Sequence, residues 1–247
     1  LAEIPIRVLD QIRAHGLHFF RFPSEHVFPD GVRVFTKLEE VELGPGEIID
    51  AGTGPSVILF GRDAEHWYTD SIDGCGGFLP GDFFNCWPYM DAALEDLLDF
   101  YQLNSFRLKA KERHTPRSHT GPSNPLLAAD VIDRLQQSDI VEVTRYPVDT
   151  EEFQISFSRK APESECEPAV RLYGWKSGVC CVDARSEQTI EEDSLAPGEF
   201  MHFWRNYDDA LDDMVDFFYG SKIRRLAWIE GKKLEEQYHQ NDKQHKR

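Results

Sequence analysis

Apolar residues recur at helical spacing at the start of the chain, in Ile4, Val8, Leu9 and Ile12, and Gly16 ends the run. Short segments bounded by Gly, Pro or Asp follow. Leu17 to Phe22, Val32 to Phe35, Glu47 to Asp50, Ser56 to Phe60 and His66 to Thr69 are β-branched or aromatic, which predicts strands. A second helix closes the series. Leu94, Leu97, Leu98 and Tyr101 form one apolar stripe, surrounded by Asp91, Glu95, Asp96 and Asp99. Acids in its first turn suit the positive end of the helix dipole, whereas those further on predict an acidic outer face. The same order then returns. Leu127, Val131, Ile132 and Leu135 predict a helix. Ile140 to Tyr146, Phe153 to Ser158, Ala169 to Tyr173 and Val179 to Val182 predict strands. Leu211, Met214, Val215 and Phe218 predict a closing helix beside Asp208, Asp212, Asp213 and Asp216.

The return extends to individual residues. Pro80 to Arg107 aligns without a gap on Pro197 to Arg224, an offset of 117, and 11 of 28 positions are identical. Pro55 to Gly61 aligns on Pro168 to Gly174 at an offset of 113, and the match reaches Asp70 and Asp183. Order and spacing kept together indicate two copies of one unit, each long enough for a core of its own. Gly61 and Gly174 each fall between two predicted strands, which reads as a hairpin turn or bulge. The predicted fold class is α+β, as two tandem copies of a helix–antiparallel sheet–helix unit in which helices cover one side of the sheet. The expected divisions are residues 1–110, a linker at 111–124 within the proline-containing stretch Lys109 to Pro125, residues 125–230, and a charged tail at 231–247.

Charge narrows the choice of partners. The 247 residues carry a net charge of −17, and residues 51–100 hold nine acids against one base, Arg62. Such a field repels nucleic acid and anionic membranes and attracts a basic partner. No window approaches the roughly 18 apolar residues of a membrane span. The first residues lack the apolar core of a leader, so a cytoplasmic location is expected. The five cysteines, Cys75, Cys86, Cys166, Cys180 and Cys181, form no Cys-x-x-Cys pair, which favours reduced thiols. Adjacent Cys180 and Cys181 should point to opposite faces of a strand, one in the core and one half exposed.

Recognisable catalytic patterns are missing. No phosphate loop, nucleophile elbow or zinc-binding His-Glu-x-x-His pair occurs, and Gly74-Cys75-Gly76-Gly77 reads as a plain loop. Cys75 or Cys86 beside His66 would make a nucleophile and base only if the fold united them. Asp70, Asp73 and Asp82 lack the spacing of a calcium loop. Glu39-Glu40, Glu151-Glu152 and Glu191-Glu192-Asp193 read as solvated acids. No cofactor and no metal site are expected. His66-Trp67-Tyr68 reads first as a sheet aromatic cluster, and as a binding anchor if exposed. Trp87 and Trp204, with Phe83 and Phe200, are expected to plug the space between closing helix and sheet. Arg107 and Arg224 are expected to cap carbonyls or pair with an acid.

The closing pattern Asp-x-Ala-Leu-x-Asp-hydrophobic-hydrophobic-Asp-Phe occurs in Asp91 to Phe100 with Phe106-Arg107, and in Asp208 to Phe217 with Ile223-Arg224. In a small acidic α+β unit it resembles immunity proteins of bacterial polymorphic toxin systems, in particular immunity factors of NAD-hydrolysing necrotizing toxins. That resemblance implies a non-enzymatic inhibitor that blocks the catalytic domain of a cognate toxin, with a basic active-site cleft as the expected target. The chain departs from those factors in having two units. Glu39, Glu40, Glu42 and Asp73 are the candidates for steering a basic partner, and His66, Trp67 and Tyr68 for contacting it. An acidic protein-binding adaptor, or an enzyme with a site at the seam between the repeats, are the alternatives.

Overall fold

In the computed structural model the described residues are 2–23, 30–44, 47–72, 78–102, 105, 107–108, 141–146, 154–159, 169–174, 180–205, 209–210, 213–214, 217–218 and 233. They form helices packed on a large antiparallel sheet. Helix α1 (Ile6–Ala14) begins after the extended Pro5, buries Val8, Leu9 and Ile12, and ends at Gly16, whose φ of 72° suits a residue without Cβ. Strands β1 (His18–Arg21), β2 (Val32–Phe35), β5 (Val57–Gly61), β6 (Trp67–Asp70) and β7 (Phe83–Trp87) belong to the sheet. Between β2 and β5, strands β3 (Lys37–Gly44) and β4 (Glu47–Thr53) pair as a separate two-stranded ribbon. Helix α2 (Met90–Phe100) follows β7. The later strands are β8 (Val141–Tyr146), β9 (Gln154–Arg159), β10 (Val170–Gly174) and β11 (Cys180–Asp183). The short helix α3 (Glu187–Glu191), capped by the Ser186 side chain, and β12 (Phe200–Trp204) complete the described elements.

The ten strands of the sheet run in the order β1-β2-β5-β6-β7-β12-β11-β10-β9-β8. Strands before and after residue 110 therefore lie in mirrored order about the β7–β12 pair. The register is mirrored too. Phe83 faces His202, Asn85 faces Phe200, and Phe84 faces Met201. Positions 117 apart thus exchange partners, and Phe84 pairs with its own counterpart. The flanking hydrogen bonds obey the same rule: Gly81 N–H donates to Phe203 O (2.6 Å) and Gly198 N–H to Cys86 O (2.7 Å). Gly81 and Gly198 share a φ of 88°, so the same turn leads into both strands. Asp82 Oδ2 accepts from Leu79 N–H at 2.7 Å, and Glu199 Oε2 from Ala196 N–H at 2.9 Å.

Helices cover one face. Leu94, Leu97 and Phe100 of α2 pack with the buried α1 residues on Val32, Val34, Val57, Leu59, Trp67, Phe83 and Trp87. Met214 and Phe217 are likewise buried. The opposite face is not bare at its centre. Tyr68, Cys86, Cys181, Leu195, Met201 and Phe203 form a second core, against which Phe78 and Phe84 pack. Phe78 stacks on Phe203 with centroids 4.0 Å apart. The chain before β7 and before β12 thus crosses that face. This corrects the expectation of one exposed cysteine: Cys180 and Cys181 are both buried, because both faces are covered there. Gly61 fills a packing need as well as closing a strand, since a Cβ there would lie 2.7 Å from the Trp67 ring.

Three strands were not anticipated. Phe83–Trp87 and Phe200–Trp204 read as plugs ahead of the closing helices, yet they are the two central strands. β3 was missed because Glu39, Glu40 and Glu42 disfavour the reading of a strand. The second opening helix, the linker, the tail apart from Lys233, Cys75, Cys166 and Arg224 lie outside the described residues.

Leu97 and Met214 sit in the apolar interior as the stripes require. Truncating either to Ala is expected to cost about 2–5 kcal/mol from lost burial and the cavity left behind. Denaturant melts of the two single variants check this.

Candidate functional site

Two features of the described surface and interior gather polar groups: a buried network at the seam, and the acidic ribbon. The network starts from residues that the sequence places on the polar side of the closing helices. Asp96 is buried, and so is its counterpart Asp213. This overturns the expectation that both face solvent. Asp96 sits on α2 where it meets β6 and β7, and the groups that reach it are donors. Thr69 Oγ1 donates at 2.5 Å and Asn85 Nδ2 at 2.8 Å to Oδ2, while Arg107 donates to Oδ1 at 2.7 Å. The Arg107 guanidinium also lies over the Phe83 ring, 4.4 Å from its centroid. The pairing of Arg107 with an acid is therefore as expected, with the acid now identified. Burial alone pushes the Asp96 carboxyl up, but the Arg107 charge and the three donors outweigh it and hold the group below the usual carboxylate range.

Asn85 carries the network across the seam. Its Oδ1 lies 2.8 Å from His202 Nε2. His202 Nδ1 lies 2.8 Å from Asp213 Oδ2, which also accepts from Trp204 Nε1 at 3.1 Å. Trp87 Nε1 makes the corresponding bond to Thr69 Oγ1 at 3.2 Å. The two tryptophans are thus buried as expected, and each indole N–H reaches a polar group of the network or its edge. An acid, a histidine and an amide in series have the makings of a proton relay. Access is what they lack: His202 has 0% exposure, and both ring nitrogens are engaged.

The ribbon is the second feature. Register sets Glu40 opposite Asp50 and Glu42 opposite Ile48, with Glu39 opposite Ala51. Like charges directly opposite on a strand pair disfavour the pairing. Glu39 is exposed, and Leu38, 37% exposed, stands next to it. At the ribbon's base, Gly52 admits the Phe35 ring, which a Cβ would overlap.

The remaining candidates are placed apart. Asp73 lies outside the described residues. His66 is half-buried at the β5–β6 turn, where its Nδ1 is 2.7 Å from Asp63 Oδ1. Trp67 belongs to the helix-side core, and its Nε1 donates to Ala64 O at 3.2 Å. Tyr68 belongs to the opposite core, and its hydroxyl donates to Leu195 O at 3.4 Å. Their rings fill two interiors, so as folded they offer a partner almost no area. Burial, together with the adjacent Cys86, also pushes the Tyr68 phenol well above its ordinary value. Cys86, Cys180 and Cys181 are buried thiols. Burial and then the nearby Asp209 push the Cys180 thiol up to about 12, which removes it as a nucleophile at neutral pH. Among the described residues no three His, Cys, Asp or Glu side chains gather as metal ligands. No helix among them is long and apolar enough to cross a membrane.

The buried network was legible only in part. Asp96 and Asp213 are identical at the 117-residue offset, next to an apolar stripe. The repetition marked them, but helical phase alone assigned them to the wrong side. Comparison with protein-family models, curated proteins and solved structures found no match to this chain.

Removing the Asp96 carboxylate leaves Arg107 without its partner and two donors unsatisfied. Asp96→Ala is expected to cost about 3–5 kcal/mol. Asp91 carries an exposed pair with Arg7, 69% and 57% accessible, and Asp91→Ala is expected to change stability by no more than about 0.5 kcal/mol. Paired denaturant melts test the contrast. The pH dependence has a definite sign. With the Asp96 carboxyl held low in the folded chain, its contribution is complete above about pH 4 and is lost as pH falls below that. Asp96→Asn is expected to melt with a weaker acid dependence than the unaltered chain.

Proposed function

We propose that this chain is an immunity protein, a stoichiometric inhibitor that binds the catalytic domain of a cognate bacterial toxin at a basic cleft. The observation that carries the reading is the ribbon formed by β3 and β4. It places Glu40 opposite Asp50, close to Glu39 and Glu42, in a chain of net charge −17. A basic surface approaching this acid-bearing ribbon is steered towards it by the field of the chain. Leu38 beside Glu39 supplies exposed apolar area next to these acids. Trp67 and Tyr68, being buried, are replaced as anchors in this reading. The inward commitment of His202, Asp213 and Asp96 leaves the described polar interior structural, which favours binding over turnover at the seam.

The architecture behind this reading is a tandem duplication, with a five-stranded unit before the linker and a second after it. The mirrored strand order, the exchange of partners in the β7–β12 register and the shared turn at Gly81 and Gly198 all support it. Each unit contributes half of one sheet.

Gene neighbourhood followed by binding tests the function. If the adjoining reading frame ends in a toxin domain, that purified domain is expected to bind this chain and lose activity. Changing Glu39, Glu40 and Glu42 to Gln and Asp73 to Asn is expected to slow association by about tenfold at low salt and to flatten its salt dependence. Dissociation should stay nearly unchanged, because steering acts on encounter. An absence of binding at micromolar concentration ends the immunity reading. Turnover of a small molecule by the chain alone promotes the enzymatic alternative.

A further inference from the structure

We infer that the outer edge of β1 joins a second copy of this chain, strand to strand about a two-fold axis at Phe20, so that two sheets become one. Among the described strands β1 ends the order, with β2 on its inner side. His18, Phe20 and Arg21 are exposed. The hydrogen-bond phase of β1 is set by Phe22 N–H, which donates to Gly31 O at 2.8 Å and continues the register His18↔Phe35 and Phe20↔Arg33. Antiparallel bonds alternate along a strand, so the backbone groups of His18, Phe20 and Phe22 turn towards β2. Those of Phe19 and Arg21 turn outward.

That phase is self-complementary. In an antiparallel pair centred on Phe20, Phe19 of each copy meets Arg21 of the other, and each N–H meets a C=O, so all the outward groups are satisfied together. Phe20 then lies opposite the Phe20 of the second copy in a pair without backbone bonds, where side chains approach most closely. In the single chain Phe20 is 39% exposed and stands edge-on to Phe35, with centroids 5.4 Å apart. Pairing extends this contact into a row of four rings and buries the exposed one. A two-fold contact also closes after two copies and leaves no open edge at β1.

Charge identifies the occupant. Residues 1–36 hold four acids and four bases, so the whole net charge of −17 lies beyond them. Beside the edge the charges are matched: Arg13 Nη1 lies 3.1 Å from Asp10 Oδ1, and Arg21 Nη1 lies 3.6 Å from Glu3 Oε1. Two copies of so acidic a chain repel each other over most of their surfaces, and this end of the sheet is where they approach at least cost. A basic partner is drawn instead to the acids elsewhere. Four residues a side make a contact smaller than the roughly 1,200–2,000 Å² of stable interfaces, so a reversible dimer with a dissociation constant of roughly 100 μM is expected.

Sedimentation velocity of the full chain over a range of concentrations tests the inference. The chain is expected to pass from monomer to dimer as concentration rises, and more readily at about 0.5 M salt, because screening relieves the repulsion between copies. Docking of a basic partner on the acids would respond to salt in the opposite sense. Phe20→Glu sets like charges directly opposite each other and is expected to weaken self-association by about tenfold. Arg21→Pro removes an outward N–H and none of the bonds to β2, and is expected to weaken it likewise. Amide exchange locates the contact: the Phe19 and Arg21 amides should slow in concentrated samples and not in dilute ones. A chain that stays monomeric to about 500 μM at high salt overturns the inference and leaves the edge to a strand of another protein. A dimer that both variants leave unchanged overturns it too. If the variants fail to fold, exchange in the unaltered chain decides, and unslowed Phe19 and Arg21 amides in the dimer overturn the inference.

Discussion

The pairing of β7 with β12 is the contact on which the rest of the molecule depends. It turns two five-stranded stretches into one sheet, and it is the place where both cores meet. Backbone hydrogen bonds alone do not choose a register, since a strand slipped by two residues keeps its faces. Side chains choose it here. Asn85 reaches Asp96 on its own side and His202 on the other, so a slip would break the contact between Asn85 Oδ1 and His202 Nε2 inside the core. Buried polar groups gain specificity in this way when each finds its partner, and they destabilise the alternatives.

Acids have two distinct uses in this chain. Those turned inward are bound to defined donors: Asp96 to Arg107, Thr69 and Asn85, Asp183 to Arg185, and Glu199 to backbone N–H groups. Those turned outward, such as Asp91 and the ribbon position Glu39, keep their hydration and contribute to a long-range field. The first group holds the fold. The second group is what a partner would meet first. A single composition figure contains both, and only the packing separates them.

The antiparallel strands flanking the centre were readable because they alternate or are bounded by turn residues. β2 matches the expected Val32 to Phe35, and β5 and β6 each lie one residue along from expectation. The central strands were not readable. Phe83–Trp87 and Phe200–Trp204 are covered on both faces, so alternation is lost, and the run resembles any buried segment. β3 failed for the opposite reason, because its acids argue against a strand that its partner β4 nevertheless forms.

By itself the amino-acid sequence determined the internal repetition, the α+β character, the apolar stripes of the closing helices and the acidic charge. These are properties of spacing and composition, and they survive without knowledge of what lies across the chain. Tertiary structure decided which repeated positions meet. It set Asn85 against His202 although 117 residues separate them, turned Asp96 and Asp213 inward, and hid Trp67 and Tyr68 in two different cores. A side chain's burial depends on what packs over it from elsewhere in the chain. No local pattern carries that information.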